Sequence, residues 1–446
     1  MPDARVASPT IPGRTVPALY DPSVKPGRTE RVRRTDRLLW TLVVVWAVTR
    51  LAVLLLALDV IPDPWRFATG DARHIYREWY GVLRSGTFPV DDVRWQYPPG
   101  AAAILLLPGV LPFDYAASVY AVMLASDALV FGLLVFAAAR GRSPRGASVW
   151  VVGVPLLGPM ALARYDLAVT ALAVAALLLA GDGRADRHRL AGVLAGAAAA
   201  IKVWPLLLFV GAPGTRRAAR LYAWTCAGGV LVVGACAWAL PGAFAFLGFQ
   251  RERGIEVESV FALPFHAASW FGWSGTVRES YGSLELHGPH VRLAGRLSLL
   301  ASAAGFVWLV VWRVGARRFT GATPFDAALC ALLLFVVTSR VISPQYMLWL
   351  LGLAAVCALR RDSSQHDVVT LILVAVPLTA LTFPMMFGDL MAHRPHAVLI
   401  LFLRNAVLVA ATVLSCRGLW RATRSAPLAQ PLPVARERDP LGSRGV

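Results

Sequence analysis

Long apolar runs alternate with short polar segments along most of the chain. Runs of about spanning length cover 38–60, 114–139, 219–240, 293–313, 325–342, 345–360, 368–388 and 395–416. A membrane-crossing helix needs about 20 consecutive apolar residues, whereas a helix on the surface of a soluble core is apolar on one side only. The pattern therefore predicts an all-α polytopic membrane protein.

Three further apolar stretches do not fit a single crossing. The stretches 147–180 and 190–213 are too long for one helix and are interrupted by polar residues, so each is predicted to form two short helices that turn at the outer face. If the run 98–112 crossed, the arginine-rich segment 140–145 would lie outside, against the positive-inside bias. This run is therefore predicted to lie at the interface or to re-enter the membrane, which leaves about twelve crossings.

Basic residues set the orientation of these segments. The formal net charge of +18 is compatible with nucleic-acid binding, but arginine is concentrated in short loops and tails between the apolar runs. An excess of basic residues on the cytoplasmic side is the rule for membrane proteins. The distribution predicts a multi-pass protein of the cell membrane with both termini in the cytoplasm, and no nucleic-acid partner.

The chain divides into a central membrane domain and two tails. Residues 38–416 form the predicted membrane domain, with long outer loops at 61–97 and 241–292. Residues 1–37 and 417–446 are basic and contain several prolines, and they are predicted to be disordered cytoplasmic tails. The five cysteines show no spacing typical of a zinc site or a disulfide framework. Because simple turns need no such length, the two outer loops are the first place to look for a site.

The first outer loop contains a candidate general base. Asp71 lies in GDARHIYREWY, residues 70–80, shortly after the first apolar run. A carboxylate at this place is suited to take a proton from an acceptor hydroxyl. The alternative is structural, because an aspartate before a helix commonly caps it. His74, which follows closely, is a weaker candidate for contact with a substrate.

Two polar sites interrupt apolar runs. Lys202 lies in AAAAIKVWPLLL, and only two of the 44 basic residues are lysines. A compact ammonium for binding phosphate is therefore favoured over a side chain that merely extends to the membrane surface. Arg164 and Asp166 interrupt the stretch 147–180 at its predicted outer turn. They are either substrate contacts or a pair that neutralises itself at the membrane boundary.

Later outer segments supply further candidates for substrate and phosphate binding. The second long loop offers Arg251 and Arg253 as guanidinium groups for a phosphate, with Glu258 and His266 as polar partners. Alternating arginine and glutamate is equally typical of a solvated helix face with local ion pairs. Arg340, in SRVISPQYMLWLL, lies at another predicted outer turn.

The order of these motifs resembles glycosyltransferase family 87, the polyprenol-phosphate-mannose-dependent mannosyltransferases of actinobacteria, within the wider GT-C superfamily. The resemblance rests on Asp71, G-T-F-P and Y-P-P (86–89 and 97–99), K-V-W-P (202–205), R-E-R and E-S (251–253 and 258–259), and S-P-Q-Y (343–346). It covers about residues 38–416. A GT-C-like membrane fold is therefore expected.

The resemblance also implies a function. It implies the inverting transfer of a hexose, mannose in the family, from a polyprenyl phosphate to a cell-envelope glycolipid or glycan on the outer face, typically in α-1,2 linkage, with Asp71 as base. The lipid-phosphate sugar is the donor substrate, so no cofactor is implied, and any metal requirement stays open. Arg164, Tyr165 and Asp166 stand where many relatives carry a Gly-Gln or Gly-Asn type pair, so the donor sugar or acceptor can differ from theirs.

A polytopic transporter or lipid flippase is the alternative, because it would also have many helices and intramembrane charges. Such a protein should carry ionisable residues near the bilayer midplane and show an internal repeat, whereas the candidate residues group at one face. The sequence thus favours a membrane glycosyltransferase. The site is expected to bring Asp71, Lys202 and at least one of Arg164, Arg251, Arg253 and Arg340 around one outer cavity.

Overall fold

The computed structural model describes residues 28–181, 184 and 187–424, and helices dominate them. In the first half the helices are α1 (Arg28–Ala57), α2 (Tyr76–Arg84), α3 (Ala101–Leu106), α4 (Tyr115–Ala139), α5 (Arg145–Gly153), α6 (Met160–Ala163), α7 (Asp166–Gly181) and α8 (Arg187–Ile201). In the second half they are α9 (Thr215–Ala239), α10 (Phe246–Glu252), α11 (Leu263–Ser269), α12 (Val291–Gly315), α13 (Thr323–Thr338), α14 (Tyr346–Ala358), α15 (His366–Ala380), α16 (Phe387–Met391) and α17 (Pro395–Arg424).

Six helices of the described residues are long and apolar enough to cross a membrane. They are Asp36–Ala57, Tyr115–Ala139, Thr215–Ala239, Val291–Gly315, His366–Met385 and Pro395–Arg424. Helices α13 and α14 have 16 and 13 residues, and every residue of α14 after Tyr346 is buried against other parts of the protein. The chain is thus a multi-pass membrane protein, while the count of twelve crossings stays a prediction.

The three apolar stretches that did not fit a single crossing agree with their predicted structures to different degrees. The stretch 147–180 is broken in its middle, because α6 is a single turn and α7 begins only at Asp166. In 190–213 the prediction of two helices is wrong: α8 is followed by a four-residue 3₁₀ turn, Trp204–Leu207, in which Pro205 lacks the N–H that a continuing helix needs. The run 98–112 forms α3 and a 3₁₀ turn, about 15 Å of helix, or half the thickness of the hydrocarbon core.

The segment predicted as the second outer loop, residues 241–292, contains a small sheet, so the all-α prediction is wrong for this segment. Strands β1 (Ile255–Glu256), β2 (Thr276–Ser280) and β3 (Ser283–His287) are antiparallel, in the order β1-β3-β2. Tyr281 and Gly282 join β2 to β3 with φ angles of 49° and 72°. Positive φ at both positions is the geometry of a two-residue hairpin turn, which the sequence marks with a glycine.

Two helices extend into the segments predicted to be disordered tails. Helix α1 begins at Arg28, and α17 continues to Arg424. The hydroxyl of Thr423, in the last turn of α17, accepts a hydrogen bond of 3.1 Å from the Trp312 indole of α12. Tertiary contacts of this kind keep the last turns helical in spite of their charge. The rest of both tails lies outside the described residues.

Buried polar contacts hold the second outer loop on the helices below it. Arg404 of α17 forms an ion pair with Glu258 at 3.2 Å, and both side chains are almost completely buried. The N–H of Glu256 donates to the Arg340 carbonyl at 3.0 Å, and the Glu256 carboxylate accepts from the N–H of Ile342 at 3.0 Å. The loop is therefore docked on α17 and on the segment that follows α13, with Arg253 close by in the sequence.

A second buried ion pair lies within the spans themselves. Arg50, in α1, donates from Nε and Nη2 to the two carboxylate oxygens of Asp127, in α4, both at 3.0 Å. The Trp46 indole also donates to Asp127, at 2.6 Å, and the main-chain oxygens of Trp150 and Val151 accept from Arg50. Ionisable side chains thus also lie within the spans, whereas the sequence predicted that they group at one face.

Candidate functional site

Asp71 and Arg164 form an ion pair between two irregular segments. Asp71 begins a π-helical turn, Asp71–Ile75, that leads into α2, while Arg164 lies in the break between α6 and α7. Their side chains are only 16% and 15% exposed. The carboxylate therefore contacts a segment distant in sequence, which a role as a local helix cap would not require. Irregular helical turns of this kind are common at functional sites.

Lys202 is held by Asp166 and surrounded by aromatic rings. Its ammonium donates to Asp166 Oδ1 at 2.9 Å, and the Trp349 indole donates to the same oxygen at 2.7 Å. The ammonium lies 5.4, 4.9 and 5.2 Å from the ring centroids of Tyr97, Tyr165 and Trp349. Aromatic faces at such distances stabilise a cation. Because its side chain is only 11% exposed, Lys202 does not extend to the surface.

Close backbone packing places Tyr97 beside Lys202. Helix α8 ends at Ile201, and the carbonyl of Ala200 accepts a hydrogen bond of 2.9 Å from the N–H of Gly100. A Cβ atom at Gly100 would lie 2.6 Å from that carbonyl oxygen, so only glycine permits this approach. The YPPG segment, residues 97–100, therefore has a structural role that supports the site.

The two charged pairs share one electrostatic environment. Burial raises the pKa of the Asp71 carboxyl above its usual value, Arg164 opposes this rise, Asp166 adds to it, and Lys202 opposes it. A raised pKa makes the ionised carboxylate a stronger base, while the neighbouring cations favour its ionised form. Asp71 is thus suited to accept a proton, and it interacts electrostatically with Lys202.

A cavity of about 540 Å³ beside Lys202 has two chemically different parts. Its polar part is lined by Gln96, Tyr97, Lys202, Gln250, Arg253, Arg340 and Tyr346. Its long wall consists of one stripe on α12, Ser298, Leu299, Ser302, Gly305, Phe306 and Leu309, and one on α13, Ala331, Leu334, Phe335 and Thr338. At 1.5 Å per residue the α12 stripe extends about 16 Å. The cavity can accommodate a molecule with an anionic head and an apolar chain.

Two of the predicted arginines lie at the polar part of this cavity. Arg340 Nη1 donates to the main-chain oxygen of Arg253 at 2.5 Å, and the Arg253 guanidinium lies 3.8 Å from Glu285. Both line the cavity together with Lys202. Asp71 does not line this cavity. Its ion pair with Arg164 connects it to Asp166, two residues further along the chain, and Asp166 holds Lys202. The side chain of Arg251 lies outside the described part of the structure.

The remaining predicted residues lie elsewhere. Glu258, within the segment 241–292, forms an ion pair with Arg404 of α17. His266 is buried, with Nε2 2.8 Å from the Val257 carbonyl and Nδ1 2.9 Å from Nδ1 of His393, and burial lowers its pKa to about 4. His74 is exposed on a second cavity of about 560 Å³, whose other lining residues include Arg66, Arg73 and Arg77. The structure does not bring these three residues to the cavity beside Lys202.

Several residues of the site were not found from the sequence. Trp349, whose ring stacks on that of Tyr346 with centroids 4.0 Å apart, lies next to Lys202 but belongs to an ordinary apolar helix. The α12 stripe carried a weak signal, because Ser298, Ser302 and Gly305 recur at helical spacing on one face. That signal alone is equally typical of tight helix packing.

Comparison with known proteins gives one family. The model of the family described as "Glycosyltransferase family 87" matches residues 95–344. No curated protein matches the chain. Among solved structures, ArnT from Cupriavidus metallidurans bound to undecaprenyl phosphate is similar at 15% identity and a TM-score of 0.43, over 86% of this chain and 78% of that one. Its apo state is similar at 14% identity and the same TM-score, over 86% and 77%.

Proposed function

The chain belongs to glycosyltransferase family 87, and we propose that it transfers a hexose from a polyprenyl-phosphate donor to a hydroxyl group of a cell-envelope glycolipid or glycan. The observation that carries this proposal is the cavity beside Lys202, because it joins a cationic part to an apolar groove. A polyprenyl phosphate has the matching form, with a phosphate at the membrane interface and a long apolar chain. A nucleotide-sugar donor would need no apolar groove.

The cationic part of the cavity supports binding of the phosphate. Lys202, Arg253 and Arg340 all line it, and the enclosed position of Lys202 strengthens its electrostatic interactions. In the described structure Lys202 is paired with Asp166. An arriving phosphate offers the ammonium a second anionic partner, since an ammonium has three donors. Donor binding therefore needs no new cation to enter the site.

The groove between α12 and α13 supports binding of the isoprenoid chain. Leu299 and Phe306, which line it, are 56% and 63% exposed in a helix long enough to span the membrane. In the bilayer these side chains face the lipid, so an isoprenoid tail can enter from the side. The approximately 16 Å of lined helix accommodates several isoprene units.

The proposed transfer step gives Asp71 and Lys202 different roles. The acceptor oxygen attacks the anomeric carbon, the bond from that carbon to the phosphate oxygen breaks, and Asp71 takes the proton of the acceptor hydroxyl. The electrons of the broken bond remain on the polyprenyl phosphate, whose negative charge increases by one. Lys202 and the nearby arginines stabilise this charge. Attack on the face opposite the phosphate inverts the anomeric configuration.

Mannose as the sugar, an α-1,2 linkage and catalysis on the outer face of the cell membrane are part of the proposal. They are supported by the resemblance to the family and by the distribution of arginine along the sequence. The full chain in lipid nanodiscs, given polyprenyl-phosphate mannose, glucose or galactose and a cell-envelope lipid extract, tests them by mass spectrometry of the products. We expect transfer of mannose. Binding of these lipids without transfer of any sugar would favour the alternative of a flippase.

A matched pair of glycine variants tests the groove. Gly305 lines the groove, whereas Gly295, almost three turns earlier on α12, does not, and neither has a neighbouring atom closer than 3.6 Å to an added Cβ. Gly305→Phe should therefore fill the groove and raise KM for a long-chain donor by about 10-fold or more, the cost of excluding roughly two methylene groups. A donor with a single isoprene unit should be much less affected. Equal effects of Gly305→Phe and Gly295→Phe would contradict this placement of the tail.

A further inference from the structure

Three consecutive residues at the site carry buried polar atoms that have no hydrogen-bond partner among the described residues. They are Nε of Arg164, the hydroxyl of Tyr165 and Oδ2 of Asp166. Tyr165 and Asp166 are each only 1% exposed. Buried polar groups in proteins are normally paired, because an unpaired group loses its hydration without compensation. Three such atoms in one short segment indicate a place that a polar ligand completes.

The chemistry of these atoms selects the kind of ligand. Asp166 Oδ1 already accepts from Lys202 and Trp349, which fixes the carboxylate and leaves Oδ2 as an acceptor. A phosphate offers no donor to this oxygen and is repelled by it. A hydroxyl group can donate to Asp166 and also exchange a hydrogen bond with the Tyr165 hydroxyl. Because Lys202 already balances the charge of Asp166, a neutral ligand with several hydroxyls fits best.

We propose that the segment Arg164–Tyr165–Asp166 recognises the sugar of the donor. Asp166 Oδ2 accepts a hydrogen bond from one sugar hydroxyl, and the Tyr165 hydroxyl binds the sugar as well. The sugar then lies beside Tyr97 and Trp349 in the cavity, with its phosphate between Lys202 and the guanidinium groups of Arg253 and Arg340. This assignment rests on the proposed function and deepens it, because the segment then determines the specificity of the enzyme for a neutral hexose.

Binding of three kinds of lipid by the full chain in nanodiscs tests the proposal. The probes are polyprenyl phosphate, polyprenyl-phosphate mannose and the corresponding donors that each lack one hydroxyl of the sugar. Tyr165→Phe keeps the ring and removes only a hydroxyl that has no partner in the described protein, so the fold should be unaffected. Asp166→Asn keeps the shape of the side chain and removes its charge. Thermal unfolding of each variant checks that the fold is retained.

We expect both variants to lose affinity for the glycosylated lipid alone. The Kd for polyprenyl-phosphate mannose should rise about 2- to 10-fold in Tyr165→Phe and about 10- to 100-fold in Asp166→Asn, as is typical for neutral and charge-assisted hydrogen bonds. The Kd for unglycosylated polyprenyl phosphate should be unchanged in Tyr165→Phe, and unchanged or lower in Asp166→Asn. One deoxy donor should bind the wild type weakly and lose no further affinity in Asp166→Asn.

Three results would overturn the proposal. An equal loss for glycosylated and unglycosylated lipid in Asp166→Asn would mean that this residue acts only by holding Lys202. Wild-type affinity for polyprenyl-phosphate mannose in both variants would mean that the segment does not bind the sugar. Failure of the wild type to bind polyprenyl phosphate at all would contradict the proposed donor, and with it this inference.

Discussion

Two buried acid–base pairs in this membrane domain differ in how completely their polar atoms are paired. Around Arg50 and Asp127, both carboxylate oxygens and all three guanidinium nitrogens have hydrogen-bond partners. Around Lys202 and Asp166, one carboxylate oxygen has no partner among the described residues. Both pairs are almost entirely buried, with side-chain exposures of 3% and 1% for the first and 11% and 1% for the second.

The difference separates a structural pair from a pair available for ligand binding. A buried charge is tolerated in a membrane when its hydrogen-bonding capacity is filled, and Arg50–Asp127 meets this condition within the protein. Asp166 and its neighbours meet it only when a ligand supplies the missing partners. The number of unpaired atoms therefore distinguishes the two pairs better than their burial or charge, which are nearly the same.

The largest effect on activity is expected at the base. Asp71→Asn keeps the shape of the side chain but removes the proton acceptor, and loss of a general base typically costs about 100- to 10,000-fold in rate. Donor affinity should change little, because the amide keeps the shape of the side chain and only the proton acceptor is lost. Steady-state transfer and a separate measurement of donor binding check this. Full activity in Asp71→Asn would exclude Asp71 as the base and direct attention to Asp166.

Changes in the Arg50–Asp127 pair should affect the stability of the protein rather than its activity. Asp127→Ala leaves Arg50 buried and unpaired, and breaking a buried pair in this way costs about 3–5 kcal/mol of unfolding free energy. Thermal unfolding in detergent should show a large decrease in Tm. The activity of the protein that remains folded, at a temperature well below Tm, should be close to that of the wild type. A selective loss of rate without a loss of stability would erase the distinction between the two pairs.

Exchanging the two cations sharpens the comparison further. Lys202→Arg places a larger, planar group in a space enclosed by three rings, so donor affinity and rate should fall by about 10-fold, the effect of one hydrogen bond to a charged group. Arg50→Lys should lower Tm, because one ammonium cannot reproduce the contacts of the guanidinium. Wild-type donor binding and rate in Lys202→Arg would mean that only a positive charge is needed at position 202.

The smallest expected effect is a shift in pH dependence. Protonation removes the base, and burial raises the pKa of Asp71 above the usual 3.8, so kcat/KM should fall on acidification at a higher pH than for an ordinary aspartate. Arg164 opposes this rise, so Arg164→Gln should move the acid limb to still higher pH. The residual activity of Asp71→Asn should lack this limb. An acid limb at the same pH in Arg164→Gln and wild type would show that the pair does not tune the base.

The sequence identified the charged residues of the site better than the residues that surround them. Lys202 was found because a lone lysine within an apolar run is conspicuous in an arginine-rich chain, and Asp71 because a carboxylate follows closely after the first apolar run. Trp349 was not found, since an aromatic residue in an apolar helix is unremarkable until tertiary packing places it next to a charge. The roles proposed for Asp71 and Lys202 themselves stay predictions.

The same limit applies to the fold. Apolar length predicted the long spans and also α13 and α14, but it did not predict that α13 and α14 would be almost entirely enclosed by other parts of the protein. The hairpin of the second outer loop had a local signal, Tyr281-Gly282 between two five-residue strands, that the hydropathy pattern does not register. Arg50 and Asp127 were hidden inside apolar runs, and their pairing depends on which helices pack together.

The groove between α12 and α13 is exposed on one side, and this determines how the concentration of the donor should be expressed. A substrate that enters from the bilayer is sampled from a two-dimensional pool, so its effective concentration is a mole fraction of the surrounding lipid and not an amount per volume of solution. Adding inert phospholipid at a constant total amount of donor should therefore slow the reaction by dilution within the surface. Rates measured in membranes of different lipid content will be comparable only on this scale.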